Sequence, residues 1–413
     1  MRIALVSYHT CPLARLGGRF SGGLNVYVRE SARELVRQGF TVDIFTAAHR
    51  GQGERVSQLG PGLRLIHLPV DGAPAGEVSR ATLYGAYRAF AGQIHRFARS
   101  QGLAYDLVHA HYWLSGLVGL ELKRAWGVPL VAMFHTLALV KQQARVGEGE
   151  PPERVEAEGR IITGADAIVA ATDQEKNFLV RLYGAPAHRV VVIPCGVNLH
   201  LFRPRDPLTA RRRLGLPPDK RLVLYVGRLD PLKGLDLLLR ALSRLEDRGN
   251  VQLIVIGGDR SPTGERQRLE NLARELGLRG TVRFVGPVAH AQLPWYFSAA
   301  TVTVVPSYHE SFGLVALESL ACGTPVIAAR VGGLTRTVVD GLNGYLVAWH
   351  CPEAFTERLE LVLGNEGLRR RLAAAARASV WPFTWAEVTR RLANFYATLA
   401  AAPGGARATH LSG

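Results

Sequence analysis

Acidic residues are scarce beside basic ones in this chain. Its 34 Asp and Glu stand against 50 Lys and Arg, a formal charge of +16 with a pI near 10.2. Such a balance raises nucleic acid and anionic lipid as partners. The excess is mostly arginine, however, and the clusters Arg211 to Arg213, Arg369 to Arg371 and Arg390 to Arg391 lie among Leu and Ala in helix-like runs. They read as solvated amphipathic faces. No nucleic-acid motif accompanies them, and no single helix demands a membrane, although peripheral contact with anionic lipid stays open. Cysteine is equally sparse. Cys11, Cys195, Cys322 and Cys351 are scattered without C-x-x-C or a Cys/His metal spacing, which fits reduced thiols in a cytoplasmic protein. There is no apolar run long enough for a membrane span. The opening M-R-I-A-L-V-S-Y-H-T turns polar too soon for a signal peptide. The first loop is not G-x-G-x-x-G, which disfavours a dinucleotide dehydrogenase.

What the chain does have is length and alternation. At 413 residues, 47% hydrophobic and 20% charged, it exceeds what one core usually supports, so two domains are expected. Arg2 to Ser7 reads as a strand, followed by a loop with Gly17, Gly18, Gly22 and Gly23, a helix from Leu24 to Gln38 and a strand from Thr41 to Thr46. Further strands fall at Asp106 to His109, Leu130 to Phe134, Ala167 to Ala170 and Val190 to Ile193. After Phe202 to Pro204 the pattern restarts. Leu222 to Val226, Val251 to Ile256, Val282 to Val285, Val302 to Val305 and Pro325 to Ala328 are strand-like, separated by helical runs such as Gly234 to Glu246 and Glu265 to Leu276. The fold class is α/β, with two Rossmann-like domains facing each other across a cleft. The expected divisions are 1–200, 201–384, a helix over 385–400, and a disordered tail over 401–413.

The most informative stretch is Pro306 to Pro325, P-S-Y-H-E-S-F-G-L-V-A-L-E-S-L-A-C-G-T-P. Two carboxylates, Glu310 and Glu318, interrupt a strand exit and an apolar helix. Burial of such charges requires a strong donor or a polyhydroxylated ligand. A helix beginning near Ser311 to Gly313 would aim its free N–H groups at a phosphate. Eight residues separate the carboxylates, about 12 Å along a helix, so they could hold two ends of one extended ligand. The plainer alternative is that Glu310 complements the helix dipole and Glu318 pairs with a nearby Arg. Earlier, Arg228 and Lys233 share one loop with the following Gly234 and a helix start, an arrangement suited to a pyrophosphate. Two surface cations on a β–α loop would look the same. Gly22 and Gly23 would let backbone approach a diphosphate, with Asn25 beside them, though a tight turn needs glycines too.

Taken together, the Glu310-to-Glu318 spacing with S-F-G-L between, S-G-G-L-N-V-Y-V, H-A-H-Y-W-L-S-G, F-H-T-L-A, V-I-P-C-G-V-N and V-G-R-L-D-P-L-K-G resemble the retaining GT-B glycosyltransferases of family 4. The resemblance spans roughly residues 1 to 400 and implies a UDP-sugar donor. It implies that Arg228 and Lys233 bind the diphosphate, Glu310 the hydroxyls of the transferred sugar, and Glu318 the ribose. Ser311, Phe312, Gly313, Leu314 and Val315 complete the donor segment. The helix over 385–400 would cross back to the first domain. His135, which sequence alone leaves open as a core or loop histidine, would lie beside the transferred sugar, with His135, Arg228, Lys233 and Glu310 forming the catalytic group. Among branches of the family, the one that glycosylates inositol phosphate in mycothiol synthesis is the most similar. Its acceptor phosphate is held by a Lys, a Tyr, a Thr and an Arg. Tyr112, Thr136 and Arg154 match three of these, Arg80 replaces the Lys, keeping the charge but changing its geometry, and Asn25 is expected with them among the acceptor-binding residues.

The expected reaction is therefore transfer of a hexose or N-acetylhexosamine to a phosphorylated small acceptor such as 1D-myo-inositol 3-phosphate. Transfer of glucose to fructose 6-phosphate, as by sucrose-phosphate synthase, is the nearest alternative. A lipid-linked or polysaccharide acceptor, or a silent sugar-nucleotide-binding protein on the same fold, follows. No D-x-D motif appears and cations already face the diphosphate, so neither metal nor cofactor is expected. The sequence is silent on a homo-oligomer.

Overall fold

A computed structural model describes residues 1–14, 22–48, 53–70, 79–144, 149–258, 264–348 and 350–401. Gly17, Gly18 and residues 402–413 of the tail lie outside these. The first half is built on eight strands: β1 (Arg2–Val6), β2 (Thr41–Ala47), β3 (Arg55–Gly60), β4 (Leu63–Leu68), β5 (Leu107–His111), β6 (Leu130–Met133), β7 (Ala167–Ala170) and β8 (Val190–Val192). Their order is β3-β4-β2-β1-β5-β6-β7-β8, parallel except for β3, which runs antiparallel to β4. The second half holds β9 (Arg221–Val226), β10 (Val251–Ile256), β11 (Val282–Gly286), β12 (Val302–Val305), β13 (Val326–Ala329) and β14 (Gly344–Val347). These form a parallel sheet in the order β11-β10-β9-β12-β13-β14. Central strands such as β12 (V-T-V-V) are buried along their whole length, as expected where helices cover both faces.

Order reverses between β1 and β5 in one sheet and between β9 and β12 in the other. Those switch points are where open α/β sheets leave a crevice at the carboxyl ends of their strands. The two crevices face one another. Gly23, first residue of the helix Gly23–Arg37, lies so close to the helix Leu314–Ala321 that an added Cβ would sit 3.1 Å from the Leu314 side chain.

The halves are tied by the segment after β8. The Val197 amide donates to the Phe383 carbonyl at 2.7 Å, and Arg377 donates to the carbonyls of Leu199, Phe202 and Ala321. The last helix, Trp385–Ala401, then lies on the first half. Trp385 meets Tyr27 edge-on at 5.5 Å, and the Tyr396 hydroxyl pairs with His109 Nδ1.

The β3–β4 hairpin and β14 depart from the sequence reading. β3 (R-V-S-Q-L-G) is a mostly exposed edge strand with no apolar run to announce it. β14 has only four residues. β5 extends two residues beyond His109, which puts His109 and His111 inside a buried strand.

Candidate functional site

The loop after β12 carries Glu310, and the helix it introduces begins only at Leu314. This matches the expected helix start near Ser311 to Gly313, with only the stretch from Leu314 to Glu318 following the helical rise. Glu310 belongs to the turn and Glu318 to the helix. Gly313 caps that helix at φ +90°, where a Cβ would strike Leu334 at 2.6 Å, so only glycine opens this N-terminus without strain. The turn is held from outside by V-G-G at 331–333. Gly333 N–H donates to the Glu310 carbonyl at 3.2 Å, and Gly332, at φ +49°, sits so close that a Cβ would lie 1.6 Å from that oxygen. Phe312 is buried and Ser311 half-buried, while Leu314 and Val315 stay partly open.

Lys233 Nζ donates to Glu310 Oε2 at 2.6 Å, with both side chains about one-fifth exposed. Burial would raise the Glu310 carboxyl, but Lys233, with His309 and Arg228, holds it below the ordinary carboxylate range. It is an ionised carboxylate at neutral pH. Arg228 reaches Asp230 at 3.3 Å and is the more exposed cation, at 41%. Glu318 is buried. Its partner is His290 Nε2 at 2.7 Å, not an arginine. The other ring nitrogen of His290 lies 3.4 Å from Arg29 Nη2 of the opposite half.

On the first half, Gly22 N–H donates to Asn25 Oδ1 at 2.8 Å, and the Asn25 amide donates to Thr10 Oγ1 and the Cys11 carbonyl. The amide protons of Asn25 are thus committed to the Thr10–Cys11 segment and its oxygen to the Gly22 turn. The helix N-terminus at Gly23 faces the one at Leu314, so two positive dipole ends converge.

Tyr112 and His135 are the described non-glycine residues with positive φ, at 80° and 61°. Both follow strand ends, β5 and β6, at the carboxyl edge of the first sheet, where sparsely populated backbone is held by its surroundings. His135 Nε2 lies 3.0 Å from His111 Nδ1. Burial pulls His135 down to about 3, so its ring is neutral. Arg154 is fully buried. It donates to the Thr136 carbonyl at 2.7 Å, Thr136 Oγ1 at 2.9 Å, Glu158 at 2.8 Å and Glu150 at 2.6 Å, and lies 5.0 Å over the Tyr112 ring. The structure therefore brings Tyr112, Thr136 and Arg154 together. Arg80 begins the helix Arg80–Ser100. That helix abuts the same corner: its Leu83 carbonyl accepts from Tyr8, and its Tyr84 ring lies 5.6 Å from that of Trp113, next in sequence to Tyr112.

A cavity of about 220 Å³ separates the two groups, with Thr136, Leu137 and Glu175 on one wall and His309, Glu310, Ser311 and Gly332 on the other. His309 is lowered to about 4, first by burial, then by Lys233, with Lys141 and Arg154 adding from across the cleft and Glu310 opposing. Cations from both halves therefore bear on one spot, a place for anionic ligands. His309 and His290 escaped the sequence reading. His309 stood inside the quoted motif but was given no role, and only the position of His290 after β11 marks the carboxyl edge. Gly332 was missed because its constraint is the Glu310 backbone, far away in sequence. Among the described residues no group of three or more His, Cys, Asp or Glu could hold a metal, and no helix is long and apolar enough to cross a membrane.

Comparison with known proteins agrees with this architecture. Residues 22–196 match the family described as Glycosyl transferase 4-like domain, and residues 208–379 match Glycosyl transferases group 1. The D-inositol 3-phosphate glycosyltransferase of Nocardioides sp. is 43% identical over 96% of this chain and 89% of its own length. That of Xylanimonas cellulosilytica is 44% identical, covering 96% of each. Among solved structures, sucrose-phosphate synthase from Thermosynechococcus elongatus superposes with a TM-score of 0.89 at 36% identity, covering 97% of this chain and 99% of that one. With both domains matched and the two-sheet cleft in place, the chain belongs to the GT-B glycosyltransferases of family 4.

Proposed function

We propose that this protein is a cytoplasmic, retaining glycosyltransferase that moves a hexose or N-acetylhexosamine from a UDP-sugar to a small phosphorylated acceptor, with 1D-myo-inositol 3-phosphate the first candidate. The observation that carries the reading is the pairing of two ionic groups across one cavity: Lys233 with Glu310 on one wall, and Arg154 with Thr136 and Tyr112 behind the other. The relatives that share 43% and 44% identity are named for inositol 3-phosphate.

In this reading the diphosphate lies between the facing helix N-termini at Gly23 and Leu314, with Arg228 and Lys233 on it. Lys233 exchanges Glu310 for the β-phosphate, and Glu310, freed, accepts hydrogen bonds from the sugar hydroxyls. Glu318, fixed by His290, takes the ribose. As the bond from the sugar's anomeric carbon to the diphosphate breaks, the acceptor oxygen forms its bond on the same face and its proton passes to the departing phosphate oxygen. The protein's part is to orient the two reactants and to stabilise charge on the leaving group. Neutral His135 supplies a hydrogen bond to the sugar rather than a charge. Arg80, Tyr112, Thr136 and Arg154 hold the acceptor phosphate.

Likeness to sucrose-phosphate synthase over nearly the whole chain supports a second reading, with fructose 6-phosphate as acceptor. The purified protein should be given UDP-N-acetylglucosamine or UDP-glucose with inositol 3-phosphate or fructose 6-phosphate, and products read by mass spectrometry. Transfer to inositol phosphate is expected. Transfer only to fructose 6-phosphate would favour the second reading, and no transfer to either would refute a phosphorylated acceptor.

A further inference from the structure

The corner assigned to the acceptor phosphate already contains an anion. Glu150 Oε2 accepts from Arg154 Nη1 at 2.6 Å, and its other oxygen accepts from Lys141 Nζ. Arg154 does not need this partner for neutrality. Glu158, fully buried, accepts from Arg154 Nε at 2.8 Å and also from the Ala138 amide and the Tyr183 hydroxyl. That carboxylate is held by three helices of the first half, Ala138–Gln143, Pro152–Gly164 and Asp173–Tyr183, and pairs with the guanidinium independently of Glu150.

Glu150 is held differently. It lies before Pro151 and the helix Pro152–Gly164, on a loop and outside the helical hydrogen-bond ladder. Its side chain pairs with the two cations, one of which, Lys141, is 19% exposed. Lys141 sits on the helix Ala138–Gln143, which gives Val140 and Gln143 to the cavity wall. Burial opposes ionisation of Glu150, but Arg154 and Lys141 keep its carboxyl below the ordinary range. It is therefore ionised at neutral pH. Two cations bridged by one removable carboxylate form an anion site with its own placeholder.

We infer that Glu150 occupies the acceptor-phosphate subsite in the ligand-free protein and is displaced by the phosphate, and that Lys141, released by that exchange, becomes a further phosphate ligand beside Arg154. This rests on the proposed phosphorylated acceptor. A phosphate carries more charge and more acceptor oxygens than a carboxylate, so it can outcompete Glu150. An unphosphorylated sugar cannot. The carboxylate then serves as a specificity filter as well as a placeholder, because an acceptor must bring enough charge to evict it.

The test is calorimetric titration of inorganic phosphate into the full chain and its Glu150→Gln and Lys141→Gln variants, with the acceptor KM measured alongside. Removal of the competing carboxylate should tighten phosphate binding and lower the acceptor KM by about tenfold, and Lys141→Gln should weaken both by about tenfold. The donor KM should hold within about twofold in both. Unchanged or weaker phosphate binding in Glu150→Gln would overturn the inference, and so would an unaltered affinity in Lys141→Gln. Should Glu150→Gln fail to fold, Glu150→Ala and the Lys141 variant decide it in the same way. If phosphate affinity responds as expected but inositol phosphate is not glycosylated, the acceptor assignment fails and the anion site stands. If inositol phosphate is glycosylated while the variants bind phosphate like the parent, the reverse holds.

Discussion

Replacing Lys233 with Ala removes one half of a 2.6 Å ion pair and one of the two cations that the proposed mechanism sets on the leaving diphosphate. At that separation and an effective dielectric of about 20, the gross attraction is about 6 kcal/mol. Most of this is offset by desolvation and by water reaching two partly exposed side chains, leaving a net effect on stability of about 1–2 kcal/mol. Activity should suffer more. A cation that strengthens its grip as charge develops on the departing phosphate contributes about 3–4 kcal/mol to the transition state, so kcat should fall by about 10²–10³. Glu310 would also lose the main influence opposing its burial, and its carboxyl would rise. Residual activity of Lys233→Ala should therefore climb with pH where the parent is flat. Lys233→Arg, which keeps the charge, should recover part of the rate. The assay is initial-rate release of the nucleoside diphosphate, with thermal unfolding measured on the same preparations. A kcat within about threefold of the parent in a folded Lys233→Ala variant would remove Lys233 from the chemistry.

Other expected outcomes follow from local geometry. Gly332→Ala places a Cβ 1.6 Å from the Glu310 carbonyl oxygen at a φ of +49°. It should destabilise the protein by about 3 kcal/mol or more and displace the Glu310 turn, read as a lower denaturant midpoint together with a raised donor KM. Glu175, on the cavity wall, accepts from the Ala171 amide at 2.7 Å, yet burial raises it from the ordinary 4.5 to about 7. Its folded pKa exceeds its unfolded one, so its contribution is present below about pH 4.5 and is lost as pH rises to about 7, a loss of about 3 kcal/mol. Urea midpoints of Glu175→Gln should consequently overtake those of the parent between pH 5 and pH 8. Parallel curves would show that Glu175 is not held up by burial.

The central strands, the α/β alternation and the strand-to-helix turns were legible because buried parallel strands announce themselves as short apolar runs. β3 was not, since an exposed edge strand has no such pattern. Within the site, Lys233 and Glu310 could be singled out because cations and carboxylates stand out against apolar surroundings. Their mutual pairing could not, as it depends on β9 and β12 being neighbours in a sheet whose order the sequence does not print. Arg154 illustrates the same limit. The family resemblance marked it as a phosphate ligand, but only the folded chain reveals that Glu150 and Glu158 already surround it. His290 and His309 were invisible as partners of Glu318 and of the cleft because each meets its neighbours across tens of residues or from the other half.

The most direct test compares two acceptors with one UDP-sugar: inositol 3-phosphate and unphosphorylated inositol, read as the ratio of their kcat/KM values on the parent and on Arg154→Lys. A site built around Arg154, Thr136 and Tyr112 should prefer the phosphorylated acceptor by at least about 10³, and Arg154→Lys should erode that preference without altering the donor KM. Equal kcat/KM values for the two acceptors would contradict the account.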